Sequence, residues 1–352
     1  MRAGELSKRL LGRLGVTISD AHGHGFKVAR VTRAEALAPE WDALCESLFQ
    51  RRAFLGYLEQ RNPRQQRYYE LRDAEDTLVA GAVVCTIEID LLTYSRVRSP
   101  VRLAMLCVPC DQSAPGLVGE PAAQRALASR LLLEEPRFLV GLNLDTSLDL
   151  APCVEGRNLP GVVLRQRFDS FEDYVRALRA PYRRRLKRIS AGFTDVDATQ
   201  SGCDLYGREH HALYLDVYRR SDAKLAELPF GFFCHLPEPF VLTTYRRAGR
   251  LLGWHITVED RGRFTFLLEG HVGEPGVYFN LLLGVLRLGI EAGAELIDFG
   301  QTAEVPKMRL GGELQEKVMF ASHPHLALRT LIQLGRPLLT YRRRVPEVNV
   351  FR

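Results

Sequence analysis

Glu295-Leu-Ile-Asp298-Phe-Gly300-Gln-Thr-Ala-Glu-Val-Pro-Lys307-Met-Arg309-Leu-Gly311-Gly312 is the stretch on which the reading of this chain turns. An apolar, helix-like segment from Tyr278 to Ala292 precedes it, and a strand-like run, Lys317-Val-Met-Phe-Ala-Ser322, follows. Its own order is a short strand ending in Asp-Phe-Gly, then a cationic pair, then two glycines. Asp298 falls near the carboxyl end of a buried-looking strand, where folds that mix helices and strands often present functional groups. It serves there either as a cap for the turn that Gly300 permits or as part of a site. Lys307 and Arg309 add positive charge that either holds Asp298 or meets an anionic substrate group.

Outward from this stretch, helical and strand patterns alternate twice. Ala34 to Phe49 carries helical spacing, and a second helix includes Phe54 to Leu58. Strand-like runs follow at 68–71, 78–89 and 101–108, then a helix over 122–133 and strands at 138–144 and 162–168. The order restarts after Asp169. A helix over 171–189, bent at Pro181, leads to a strand at 193–198 and a helix around 209–220. Strands at 240–245, 250–258 and 263–268, the Tyr278 helix and the Leu296 strand complete it. Antiparallel strands with helices packed on them define an α+β class, and the repeated order predicts two similar domains.

Length and composition agree. The 352 residues suit two domains, and 46% hydrophobic with 26% charged residues is ordinary for globular chains. No apolar run reaches the roughly 18 residues of a membrane-spanning helix. The N-terminus lacks the apolar core of a secretory signal. Seven scattered cysteines fit reduced thiols, so a cytoplasmic location is expected. Cys107-Val-Pro-Cys110 has metal-like spacing but no second pair and reads as buried thiols. No metal site is predicted, and His22-Gly-His24 reads as linker.

The net charge of +6 is concentrated at the N-terminus, in 176–188 and in the tail Arg342-Arg343-Arg344. It favours an anionic partner: a phosphate-bearing cofactor, RNA or a membrane surface. The segment from His325 to Arg344 mixes leucines with arginines. It reads as a helix packed back on the second domain, the sharper alternative being peripheral contact with anionic lipid.

The second half resembles the acetyltransferase-like domain of Fem-type and cellulose-biosynthesis-type proteins of the GNAT superfamily. The matching pieces are Phe171-Glu-Asp-Tyr174 through Tyr182-Arg-Arg-Arg-Leu-Lys-Arg188, the hairpin at Gly249-Arg-Leu-Leu-Gly253, and Asp298-Phe-Gly300 through Lys307 and Gly311. The resemblance implies tandem GNAT-like domains, each a mainly antiparallel sheet flanked by helices. The expected boundaries are a basic extension over 1–27, a degenerate domain over 28–167, an acyltransferase domain over 168–325 and a basic amphipathic segment over 326–352.

It further implies N-acyl transfer from a thioester, acyl-CoA or the phosphopantetheine of an acyl carrier protein, to a small-molecule or peptide amine. An aminoacyl-tRNA-dependent ligase and a catalytically silent binding module are the alternatives. The family cradles pyrophosphate on amides at a helix N-terminus, a position physically suited to anions. Here that loop is Gly270-His-Val-Gly273-Glu-Pro-Gly276, with Gly270, Gly273 and Gly276 as cofactor-contacting candidates and Arg184 and Arg185 as the anion gate. The loop departs from the family in Glu274 and in lacking the Arg/Gln-x-x-Gly-x-Gly/Ala signature. Amine acylation needs a proton acceptor, for which Glu269, His271 and Asp298 are the candidates. Glu269 and His271 are two apart on a strand and face one side. His255, Tyr278, Lys307 and Arg309 complete the substrate-contacting set.

Overall fold

A computed structural model of the chain describes residues 17–20, 25–90, 100–110, 113–135, 137–150, 153–221, 227–336, 340–342, 345–346 and 348–352. Most of the basic extension expected over 1–27, including the linker histidines His22 and His24, and Arg343–Arg344 lie outside these residues. The chain forms two units. One comprises 1–110, 114–159 and 316–342, the other 111–113, 160–315 and 343–352.

The first unit carries a nine-stranded sheet. Strands β1 (Thr17–Asp20), β2 (Lys27–Val31), β3 (Arg67–Arg72), β4 (Leu78–Asp90) and β5 (Pro100–Leu106) form an antiparallel meander. Helix α1 (Arg52–Arg61) precedes β3, and the short β6 (Leu117–Gly119) pairs with β4. Helix α2 (Pro121–Glu134) then crosses to β7 (Leu139–Leu144), which runs parallel to β5. Leu127, Ala128 and Leu131 of α2 pack on Ala80, Ala82 and Val84 of β4 to make the core. Strand β8 (Val154–Arg157) closes the edge through a strand from far along the sequence, described below.

The second unit repeats the plan. Its seven strands include β10 (Asp197–Gly202), β11 (Val241–Arg247), β12 (Arg250–Asp260) and β13 (Arg263–His271) as the meander. Helix α7 (Val277–Glu291) then crosses to β14 (Leu296–Gln301), parallel to β13. Its buried face, including Leu282, Val285 and Leu286, packs on Phe264 and Phe266. Helices α3 (Phe171–Ala177) and α4 (Ala180–Ala191) precede the meander, and α5 (Arg208–Arg220) and α6 (Phe230–Phe233) interrupt it. The break between α3 and α4 falls at Leu178 and Arg179, which places Pro181 in the first turn of α4, where its missing N–H costs no intrahelical hydrogen bond.

Each unit is completed by a strand that is adjacent in sequence to the other. Strand β9 (Gly161–Leu164), expected in the first domain, pairs with β14 and with β15 (Glu313–Gln315) in the second sheet. Strand β16 (Val318–Ser322), expected in the second domain, lies between β7 and β8 in the first sheet. Phe320 explains its position: fully buried, it packs over Gly141, where any Cβ would sit 2.2 Å from its ring. The boundaries at 167 and 325 are therefore displaced to 159 and 315.

Two further expectations are corrected. The helix over 34–49 is instead three 3-10 segments, Ala34–Ala36, Pro39–Leu44 and Leu48–Gln50. Pro39 restarts the backbone and Trp41 anchors it, its indole donating to the Gln50 carbonyl at 2.9 Å. The C-terminal helix α9 (Leu326–Leu334), after the short α8 (Glu304–Met308), belongs to the first unit and packs none of its leucines. Among the described residues, no helix is long and apolar enough to cross a membrane.

Candidate functional site

Strands β13 and β14 pair only from Arg263↔Leu296 to Thr265↔Asp298. Beyond that they part, β13 staying with β12 and β14 turning to β9. A crevice thus opens at the carboxyl ends of two parallel strands, the position at which mixed folds gather their ligands. The register of β12 against β13 slips at the same level: Ile256 faces Leu268, whereas Thr257 faces Phe266. Leu267 is therefore an extra residue, a β-bulge that reverses the alternation of side chains. Its consequence is that Phe266 and Glu269, three residues apart, share the face covered by α7.

On that face Glu269 lies directly across from His255, and His255 directly across from Thr243 of β11. The Glu269 side chain is 12% exposed, and its Oε2 meets no hydrogen-bond partner among the described residues. Burial pushes its carboxyl up to about 8 against the pull of Lys307 and Arg220. His271, two residues on, donates from Nδ1 to the Val272 carbonyl (2.6 Å), leaving Nε2 3.9 Å from Glu269 Oε1. Burial and then the neighbouring Arg220 hold it below its ordinary range, offset by the Val272 hydrogen bond. Tyr278, in the first turn of α7, stacks on His271 with ring centroids 5.5 Å apart. Burial, Glu269 and Glu304 keep its phenol protonated.

Lys307 reaches the crevice by a tight return of the chain. Gly300, Thr302 and Ala303 all adopt left-handed backbone angles (φ 69°, 60° and 47°), which fold the end of β14 back into α8. Lys307 then donates from Nζ to the Gln301 carbonyl at 2.6 Å and sits 5.9 Å above the Phe266 ring. It is fully buried, and burial lowers its ammonium to about 8 despite Asp298, Glu304 and Glu269 nearby. Glu304, buried one helical turn before Lys307, completes this acid–base group.

Asp298 has different duties. Its Oδ1 accepts from the Gly300 amide (2.8 Å), and its Oδ2 accepts from Arg263 (3.1 Å) and the Ser113 hydroxyl (3.4 Å). It shapes the turn that delivers Lys307, and Arg263, not Lys307 or Arg309, forms its ion pair. The closing glycines serve packing: Gly311 (φ 94°) lies under the Phe351 ring and Gly312 under Val162.

His255 is wholly buried. Its Nε2 shares a 3.0 Å hydrogen bond with the Tyr245 hydroxyl, its Nδ1 has no partner among the described residues, and burial drives it down to about 3. Thr243 Oγ1 is likewise buried and unpartnered. Three unmatched polar groups thus stand side by side on consecutive strands, an arrangement that costs stability unless something polar answers it.

The glycine loop divides. Gly270 is taken up by packing on the opposite face, where a Cβ would meet the Trp254 indole at 2.5 Å and the Tyr214 amide nitrogen at 2.7 Å. Gly273 and Gly276 lie in the loop before α7, Gly276 with φ 85°. Arg250 pairs with Glu274 at 2.8 Å and Arg220 donates to the His271 carbonyl at 3.1 Å, so the Glu274 charge is compensated. On α4, Arg184 is exposed, while Arg185 lies over the Phe279 ring and is held below its ordinary range by burial, Arg309 and Arg188. Arg185 and Arg309 therefore stand close enough to repel.

Sequence reading named Glu269, His271, Tyr278 and Lys307, which the fold gathers, but missed Glu304, Thr243 and Tyr245. Glu304 had a signal in its three-residue spacing from Lys307; the other two depend on strand register. No group of three or more metal-ligating side chains occurs among the described residues.

Neither a protein-family model nor a curated protein sequence matches this chain. Solved structures do. L-PGS from Bacillus licheniformis superposes with a TM-score of 0.50 at 10% identity, covering 81% of this chain and 96% of that one. FemX gives 0.48 at 11% identity (77% and 90%), and a GCN5-related N-acetyltransferase from Sphaerobacter thermophilus gives 0.42 at 11% (88% and 98%). At such identities the likeness is one of fold alone; the chain itself shows two α+β units in tandem, each a mainly antiparallel sheet flanked by helices.

Proposed function

We propose that the second unit transfers an acyl group from a thioester donor, an acyl-CoA or an acylated carrier protein, to an amine. The observation that carries this reading is Glu269: a buried carboxyl with an oxygen unpartnered among the described residues, pushed up to about 8, on the part of β13 that runs on beyond its last pairing with β14 at Thr265↔Asp298. In the reaction Glu269 takes a proton from the ammonium, the freed amine nitrogen bonds the thioester carbonyl carbon, the carbon–sulfur bond breaks, and the second proton shed by the nitrogen restores the one that the departing thiolate takes from Tyr278. A base of this strength at neutral pH suits that transfer. The remaining acceleration comes from holding donor and amine together.

Lys307 balances the charge of ionised Glu269, and His271 orders the ring of Tyr278. Tyr278 remains a proton donor suited to the departing thiolate. Polarisation of the carbonyl is assigned to backbone amides of the sheet. The phosphates of the donor are answered by Arg185 and Arg309 and by the loop of Gly273 and Gly276 at the start of α7, with Arg184 at the rim. The compensation of Glu274 by Arg250 makes that loop compatible with an anion.

An aminoacyl ester of tRNA is the second donor worth testing, because α4 buries none of its residues and exposes Arg184, Lys187 and Arg188 to solvent. Thermal-shift titration with acetyl-CoA, a long-chain acyl-CoA, acylated carrier protein and tRNA separates the readings. Saturable stabilisation by a thioester supports the proposal. Stabilisation by tRNA alone moves it to aminoacyl transfer, and stabilisation by none favours a silent binding module.

A further inference from the structure

Helix α9 is built with its apolar face outward. Leu326, Leu328, Leu331 and Leu334 are 65%, 44%, 62% and 74% exposed, four of the seven exposed large hydrophobic residues among those described. Arg329 and Ile332, in contrast, are the half-buried members of the helix, and Arg329 bears on Cys153 beneath it. A helix that turns an arginine inward and leucines outward leaves an apolar stripe in need of a covering.

The charge around that stripe selects the covering. Between Glu316 and Glu347 the sequence has one lysine and five arginines and no acidic residue. The lysine, Lys317, is buried and paired with Asp145 at 2.6 Å, so among the described residues the surface charge is set by arginine alone. Arg336 and Arg342 are exposed. Asp149 and Glu155, which line a cavity with Arg336, are engaged by Arg125 and Ser147. A second copy docking on this face would set these arginines against their own counterparts, whereas an anionic bilayer offers acyl chains to the leucines and phosphates to the arginines.

We propose that α9 is an interfacial helix that lays its leucines into an anionic lipid surface. At nine residues it lies on the bilayer and does not span it. The attraction has an apolar part that resists salt and an electrostatic part that salt weakens.

The test is co-sedimentation of the full chain with vesicles of equal parts phosphatidylglycerol and phosphatidylcholine, against pure phosphatidylcholine. Expected are a preference of about tenfold or more for the anionic vesicles, reduced by salt, and a loss of about tenfold or more in the variant L331S/L334S. The variant R336E/R342E loses the anionic preference and keeps its unfolding temperature, as exposed substitutions do. Equal binding to both vesicle types, or binding unaffected by L331S/L334S, overturns the proposal. So does a dimer in light scattering that L331S/L334S dissolves while neither vesicle type is bound.

Discussion

Glu269 and His255 are direct partners across the β12–β13 ladder, and each presents a buried polar atom, Oε2 and Nδ1, that no described residue satisfies. The two respond to burial oppositely. Glu269 is driven toward its protonated form and His255 toward its neutral one, so the pair carries little net charge at neutral pH. What remains is a polar row under α7 whose one readily titrating member lies at the crevice.

The first consequence concerns stability. Glu269 has a folded pKa raised above its unfolded value of 4.5, so the fold is favoured below 4.5 and loses stability as pH rises through about 8. The accumulated cost at alkaline pH is on the order of 5 kcal/mol. Glu269→Gln removes the ionising group. Its unfolding midpoint should exceed that of the parent at pH 8.5 and converge with it near pH 4.5, as followed by circular dichroism.

Lys307 sets where Glu269 ionises. Because its cation draws the Glu269 carboxyl down, Lys307→Gln should move the alkaline rise of kcat/KM upward by roughly one to three pH units. A pH–rate profile of the variant checks this; a midpoint that stays put removes Lys307 from the electrostatics of the base.

His255 governs the acid side. It is neutral when folded and its pKa is depressed to about 3, so unfolded chains take up its proton first as pH falls below 6.5. Stability is lost from pH 6.5 down toward 3, by about 3 kcal/mol at pH 4. His255→Gln should flatten this limb of a urea-denaturation series taken from pH 7 to pH 4.

In the first unit, Arg67 and Glu135 form a buried two-point ion pair, with Nε to Oε1 at 2.6 Å, and Tyr69 donates to the same carboxylate at 2.7 Å. Removing one partner strands the other. Glu135→Ala should therefore destabilise that unit by about 3–5 kcal/mol, whereas the double variant Arg67→Met, Glu135→Leu should recover much of the loss in chemical denaturation.

Local pattern made some of this legible and left the rest hidden for identifiable reasons. The apolar periodicity of 278–292 and the run Leu296-Ile-Asp298-Phe fold as read, because α7 buries most of its circumference and β14 buries residues on both of its faces. Alternation along β13 correctly puts Glu269 and His271 on one side. It cannot reveal the bulge at Leu267, which aligns Glu269 with Phe266, nor the register that sets His255 opposite Glu269. The exchange of β9 and β16 was hidden too, since a strand's own residues specify a buried face but not which sheet offers the free edge. Asp298 illustrates the remaining ambiguity: its place at a strand end fits either a turn or a base, and only its three hydrogen-bond partners identify the turn.

The most direct test is thiol release from the donor that stabilises the protein, measured with and without an amine acceptor, for the parent chain and Glu269→Gln. The account predicts amine-dependent release, reduced about 100- to 10,000-fold in Glu269→Gln, with donor affinity unchanged by calorimetry. Release at equal rates in both proteins, or none from the parent with any bound donor, would contradict it.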